Sequence, residues 1–378
     1  MSLKSNEKEI GTADAADASS MTTHVLVGLF VLLVGCANDN HGNLDARGFD
    51  DDSAVGGGRD FTHNKGVETF SANHNQPMGI AVDDQYVYWA TPAAVMRKKK
   101  SGGEAETLAG SFVHAEQLAL DEHGVYVVEL VHMPDSAVKR IDKQTRQITV
   151  IAAADPVVSG VDVDGENVYW ACLEAVGPID DLHGQIRGRD KQAKGPARTL
   201  FKGFGVHLGF SHVTARPEEW VCWTAKTEVR CGLKDGSHSW AVAEVPSVDQ
   251  GAHDIVDLGF PKMLAWTNLD TTSKAKPGNV QLYDKGVTFT GEVRVLADSL
   301  AQPFQIAADG NHLYWTDPRE GALHKTAIVG PQGSTLLTED AASTANDPRF
   351  RGPYDVAVDE HHVYWTNRYD GTVKRMPK

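Results

Sequence analysis

The 378-residue sequence has only four cysteines, and no two of them form a CxxC pair. A zinc ribbon is therefore excluded. Long apolar runs are also missing. The stretch VLVGLFVLLVG at 25–35 covers 11 residues, whereas a membrane-spanning helix needs about 20. Positive charge is scarce: 36 Lys and Arg stand against 51 Asp and Glu, for a formal net charge of −15. Such a chain repels phosphate backbones, which argues against a nucleic-acid partner. Its one basic run, Arg97-Lys98-Lys99-Lys100, reads as a solvated strand edge and turn. Among motifs, there is no GxSxG elbow, no P-loop and no GxGxxG following a strand. The 16 histidines contain no HExxH spacing, so a metalloprotease is not supported. No amphipathic helix of useful length is found.

What is present begins with an export signature. Residues 25–35 suit the apolar region of a signal peptide. Leu33-Val34-Gly35-Cys36 resembles the lipobox of bacterial lipoproteins. That resemblance implies cleavage before Cys36 and diacylglycerol on its thiol. It also implies an exported chain, anchored at the outer membrane or cell surface of a Gram-negative bacterium. Lys4 and Lys8 lie far upstream of the apolar run, which leaves Met1 and Met21 both open as the start. Residues 36–62 are rich in Asp, Asn and Gly and nearly free of large apolar side chains. Such a segment cannot bury enough surface to offset its ordering entropy, and reads as a flexible acidic tether. The divisions expected are a signal peptide at 1–35, the tether at 36–62 and one folded domain at 63–378.

That domain repeats. A Tyr-Trp or related pair recurs at Tyr88-Trp89, Tyr169-Trp170, Cys222-Trp223, Ala265-Trp266, Tyr314-Trp315 and Tyr364-Trp365, with a degenerate copy at Val127-Val128. Ahead of the pairs come short apolar stretches ending in an acidic turn, such as GIAVDD at 79–84 and DVAVDE at 355–360. Two further short strands follow each pair, as in AVMRK at 94–98 and ETLAG at 106–110. Four strands rich in Val, Ile, Tyr and Trp, split by Gly and Asp turns and repeating at roughly 45 residues, specify a propeller blade. The last unit reaches only its third strand at Met376, while GVETFS at 66–71 reads as a fourth strand. The expected fold is all-β: a seven-bladed β-propeller of four-stranded antiparallel blades, its ring closed by the N-terminal strand.

Tyr314-Trp315-Thr316-Asp317 and Tyr364-Trp365-Thr366-Asn367 resemble the YWTD repeat of receptor propellers. Pro77 to Asp83, Pro303 to Asp309 and Pro353 to Asp359 resemble NHL-type repeats. YWTD propellers usually have six blades, against seven counted here. Physically, these residues read as scaffold. The Trp column fills the space between blades, and Asp83, Asp121, Asp164, Asp309 and Asp359 read as turn formers that bind nearby backbone amides. Cys222 and Cys231 flank a hairpin in a compartment that permits disulfides, so a bridge between them is expected. Cys172 reads as a buried, inert thiol.

Function is expected where loops crowd a rigid scaffold. The longer insertions, at 171–184, 202–211, 243–253, 268–279 and 339–353, fall mainly on the face where the inner strands begin. The residues leading into those strands differ from blade to blade. Glu116, Gln117, His212, His253, Asp254, Gln305, Tyr354 and Asp355 are the candidate ligand-binding residues. Glu116, His212, His253, Asp254 and Asp355 also suit a divalent cation at the channel mouth, the one cofactor the sequence suggests. Asp162 and Asp257 stand where other units place Ala81, Ala119, Ala307 and Ala357. Two readings follow. The favoured one is a monomeric scaffold binding a protein, peptide or glycan through the loop-rich face. The other is a propeller enzyme, lactonase-like and metal-dependent or a lyase of the streptogramin type, with its site at the mouth.

Overall fold

The computed structural model describes residues 66–132, 135–173, 183–205, 212–215, 220–245, 250–259, 263–270, 278–285, 291–339 and 352–378. The segments expected to form the export signal and the tether, Cys36, and much of the five insertions lie outside the described residues.

Within each unit, short β-rich segments separated by tight turns pair with their sequence neighbours. The result is seven four-stranded antiparallel sheets. Six are continuous in sequence, spanning 80–110, 115–156, 158–205, 213–244, 250–300 and 306–339, and are called blades 1 to 6. Blade 7 is built from Val356–Val358, His362–Asn367 and Thr372–Pro377, with Glu68–Ser71 as its outer strand. Glu68 pairs with Arg375, Thr69 with Lys374 and Ser71 with Val373. The N-terminal strand thus closes the ring, and Phe70 packs edge-on against Tyr364 at 5.7 Å. Gly371 supports this joint. Its φ is +63°, and a Cβ there would lie 2.4 Å from the His74 carbonyl oxygen, so only glycine fits.

One register aligns all the blades. The inner strand sets Ile80, Leu118, Val161, Val213, Ile255, Ile306 and Val356 opposite Trp89, Val127, Trp170, Trp223, Trp266, Trp315 and Trp365. All six of these tryptophans are fully buried. They pack between sheets: Trp170 of blade 3, for example, shares a cluster with Ala119, Tyr126 and Ile151 of blade 2. Burying these rings against the adjacent sheet is what holds one blade to the next.

The acidic turns add a second joint. Asp83 Oδ1 accepts the N–H groups of Gln85 and Tyr86, and Oδ2 accepts the Tyr88 hydroxyl. Lys143 of the next blade then reaches Asp83 at 2.7 Å. The same clasp recurs as Asp121–Lys191, Asp164–Lys234, Asp309–Lys378 and Asp359–Lys100. Each joins the first turn of one blade to the residue ending or following the third strand of the next. Burial opposes ionisation of Asp359, but Lys100 and two backbone N–H groups outweigh it and hold the carboxyl down at about 2. The positions equivalent to Asp83 in blades 4 and 5 are Arg216 and Leu258, so this clasp is absent from the joints between blades 4, 5 and 6. Blade 4 carries a disulfide instead, between the directly paired Cys222 and Cys231, whose Cα atoms are 4.0 Å apart. Cys172 is buried and outside any disulfide.

Candidate binding site at the channel mouth

The aligned register fixes two rings of side chains where the inner strands begin. The residue just before the aligned apolar position is Gly79, Gln117, Gly160, His212, Asp254, Gln305 or Asp355. One residue earlier stand Met78, Glu116, Ser159, His253, Phe304 and Tyr354. The threonines that follow the Trp column hold this end of the strands in place. Thr224, Thr267, Thr316 and Thr366 each accept an N–H from their own inner strand, at His212, Asp254, Gln305 and Asp355. Each then donates to a carbonyl of the next blade, at His253, Phe304, Tyr354 and Met78. The Thr of the repeat is thus a stitch between blades 4, 5, 6, 7 and 1.

An axial cavity of about 280 Å³ opens inside the first ring, lined by Gln117, Asp162, His212, Thr214, Asp254, Gln305 and Asp355 among others. His212 organises one side. Its Nδ1 lies 2.9 Å from Asp254 Oδ1, and the Gln117 amide nitrogen lies 3.3 Å from its Nε2. An Nδ1–H donating to the carboxylate, with Nε2 accepting from the amide, satisfies both contacts in one neutral tautomer.

The three cavity aspartates are also inter-blade clasps. Asp254 Oδ2 accepts the N–H of Ile306, Asp355 Oδ2 that of Ile80, and Asp162 Oδ2 that of Ala215. Although open to the cavity, they are ringed by protein. Burial, aided by the nearby Asp254 charge, raises the Asp355 carboxyl to about 7 against the help of the Ile80 N–H. Burial likewise raises Asp162 to about 6.

Of the eight residues singled out in the sequence, Gln117, His212, Asp254, Gln305 and Asp355 line the cavity. Glu116, His253 and Tyr354 form the second ring above it. The Tyr354 hydroxyl lies 3.5 Å from Glu116 Oε1. His253 stacks on Phe304 at 4.3 Å and lies 4.9 Å from His212. Burial pushes the Glu116 carboxyl up, opposed by Arg368 and His212. These residues are not arranged as a metal-ligand set. Among the described residues, the group bringing three ligand atoms within 4.8 Å of one another is Asp317, Glu320 and His324. Asp254 and Asp355 are turned instead to the backbone N–H groups of neighbouring blades.

Of the two aspartates expected in the Ala column, one is there and one is not. Asp162 does occupy the column of Ala81, each facing a Tyr of the second strand. Asp257 does not: Val256 takes that column and Asp257 pairs with Leu264. The connection between the first two strands is longer in blade 5, where Ile255 pairs with Trp266, and a one-residue offset changes the face on which a side chain falls. Sequence reasoning also missed Arg368 and His114. Arg368 is buried, with its guanidinium 5.5 Å from the Tyr354 ring centre and Nη2 donating to Gln76. His114 is pushed down to about 4 by burial and by Arg368. A charged residue directly after the Trp-Thr-Asn run was the available signal for Arg368.

No protein-family model matches the sequence, and no curated protein matches it. Solved structures show similarity of fold. An oligogalacturonate lyase from Vibrio parahaemolyticus is 10% identical with a TM-score of 0.56, over 82% of this chain and 93% of that one. An oligogalacturonate lyase in complex with manganese is 12% identical with a TM-score of 0.55, over 77% of this chain and 85% of that one. The WD40 repeats of RRP9 are 12% identical with a TM-score of 0.58, over 82% and 97%. These similarities support the propeller architecture, which hosts enzymes and binding proteins alike.

Proposed function

We propose that this chain is an exported, lipid-anchored propeller that binds a glycan, peptide or protein through its mouth face. The recognition centre of this reading is the axial cavity. The observation that carries it is the His212–Asp254–Gln117 network standing beside Asp355 and Asp162 in a space of about 280 Å³. That volume accommodates one sugar ring or one side chain, near the lower end of ligand pockets at about 300 Å³. An acid-rich lining selects groups rich in hydrogen-bond donors: sugar hydroxyls, or the ammonium or guanidinium of a basic side chain. Cys36 supplies the anchor in this reading, and the 36–62 tether holds the propeller away from the lipid.

Glycan and peptide arrays probed with the chain test the reading. A hit expected at the cavity weakens at least about tenfold in Gln117→Ala and His212→Gln, since each removes a hydrogen bond to a polar ligand. Binding unchanged in both variants refutes the axial site. The anchor is tested separately by labelling cells with a palmitate analogue: label is expected on the wild type and lost in Cys36→Ala.

The alternative reading is an enzyme of the lactonase or lyase type. Its specific support is the pair of carboxyls raised to about 7 and about 6, Asp355 and Asp162, within reach of acid–base work at neutral pH. Turnover of a lactone or uronide substrate by wild type, lost in His212→Gln, would favour it over binding alone.

A further inference from the structure

The third-strand position facing the Trp column carries a cation in four blades, and each cation has a carboxylate. Lys139 meets Glu129 and Arg187 meets Asp155. Arg230 lies 2.8 Å from Glu228, and Lys374 lies 3.8 Å from Asp370. In blade 6 the same position is His324, opposite Trp315. Blade 7 makes the comparison residue by residue. There, Asn367, Asp370 and Lys374 occupy the positions that Asp317, Glu320 and His324 occupy in blade 6. One carboxylate with a lysine has become two carboxylates with an imidazole.

The geometry around that change is specific. Asp317 is fully buried at the end of the second strand. Its Oδ1 accepts the Glu320 N–H at 3.0 Å and its Oδ2 accepts the Gln302 N–H at 2.9 Å. His324 is 7% exposed and lies parallel to Trp315 at 5.5 Å. Neither ring nitrogen of His324 has a hydrogen-bond partner. A buried imidazole without hydrogen bonds is costly unless something else engages it. Its Nε2 lies 3.3 Å from Glu320 Oε2. That separation matches the edge of a tetrahedron, about 3.3 Å, drawn around a cation with bonds of about 2.0 Å. Asp317, Glu320 and His324 each offer a ligand atom, all within 4.8 Å of one another.

We propose that Asp317, Glu320 and His324 form a binding site for a divalent first-row transition cation, of which zinc is the best fit. The mixed nitrogen and oxygen set suits zinc or manganese. Calcium and magnesium prefer oxygen alone. The cation supplies the positive charge that Lys374 supplies in blade 7. Three protein ligands leave a coordination position open. The turn between the second and third strands of blade 6 carries the site, on the same face as the axial cavity but away from the axis. The partly exposed Glu320 provides the way in.

The test uses the untagged full chain, stripped with EDTA and titrated with zinc chloride in a calorimeter, then with manganese and calcium chlorides. One zinc per chain is expected. Glu320→Gln and His324→Gln are each expected to weaken it at least about a hundredfold, the upper end of what loss of a supporting contact alone costs. Asp370→Asn, at the equivalent place in blade 7, is expected to bind as wild type. Circular dichroism in EDTA verifies the fold of each variant, and Glu320, at the surface end of the cluster, is the position least able to disturb it. No uptake of zinc or manganese by the wild type overturns the proposal and leaves His324 as a packing partner of Trp315 beside Glu320. Zinc uptake that survives in the Glu320→Gln, His324→Gln double variant overturns it as well, and uptake of calcium alone overturns the transition-metal class.

Discussion

Asp309 and Asp355 are the same residue type on one ring, yet they titrate in opposite directions. Asp309 accepts Lys378, two backbone N–H groups and the Tyr314 hydroxyl, which together overcome burial and hold it well below the ordinary carboxylate value. Asp355 faces burial and the Asp254 charge, and rises to about 7 from 3.8. The folded chain therefore binds a proton at Asp355 that the unfolded chain has released between those two values. With fewer protons on the unfolded side, stability falls as pH rises through that window. Asp359 has the reverse sign: its contribution is present above 3.8 and is lost as pH falls toward about 2. Asp355→Asn removes the first dependence. Its melting temperature relative to wild type is expected to climb between about pH 4 and pH 8. A relative value that stays flat across that range would show that Asp355 is not the titrating group.

At the scale of the element, the outer strand Glu68–Ser71 is a short segment with a large task. Only three of its residues pair with Thr372–Pro377, so its hold depends on Phe70, buried against Ile80, Trp89 and Tyr364. Phe70→Ala is expected to cost about 3–4 kcal/mol in urea unfolding. It should also raise self-association, because the uncovered edge of Thr372–Pro377 can pair with another chain. A loss below about 1 kcal/mol, typical of a surface change, would mean the strand is dispensable. The sequence showed this strand because its pattern matches ETLAG at 106–110, a local similarity that needs no knowledge of the ring.

For the whole molecule, the joints are unequal. Five carry an Asp–Lys clasp, while the seams on either side of blade 5 have Arg216 and Leu258 in place of the Asp. The Cys222–Cys231 bridge in blade 4 stands next to one of these seams. Those two seams keep the Thr224 and Thr267 stitches and the Asp254–Ile306 contact but lack the charged Asp–Lys cross-link; segments with fewer ion-paired cross-links open at lower free energy, so the ring is expected to open first at blade 5. Hydrogen exchange followed by mass spectrometry should show faster exchange at 250–259 and 263–270 than at 80–110. Reduction of the disulfide should widen that gap, since such a bridge contributes about 2–4 kcal/mol. Uniform exchange around the ring would contradict the ranking. The sequence by itself determined the blade count, the four-strand unit, the Asp turns and the closing strand. The first three are written in local hairpins whose register follows from short spacing, and the closing strand in its likeness to ETLAG at 106–110. It also marked the residues leading into the inner strands, because they vary where the scaffold repeats. Only the tertiary structure decided the rest. Asp355 meets the Ile80 N–H across 275 residues of chain, Asp83 takes Lys143 from the next blade, and the pairing of Ile255 with Trp266 leaves Asp257 outside the Ala column. Contacts of this kind depend on how one sheet sits against the next, and closure of the ring sets that, whereas spacing within a repeat does not.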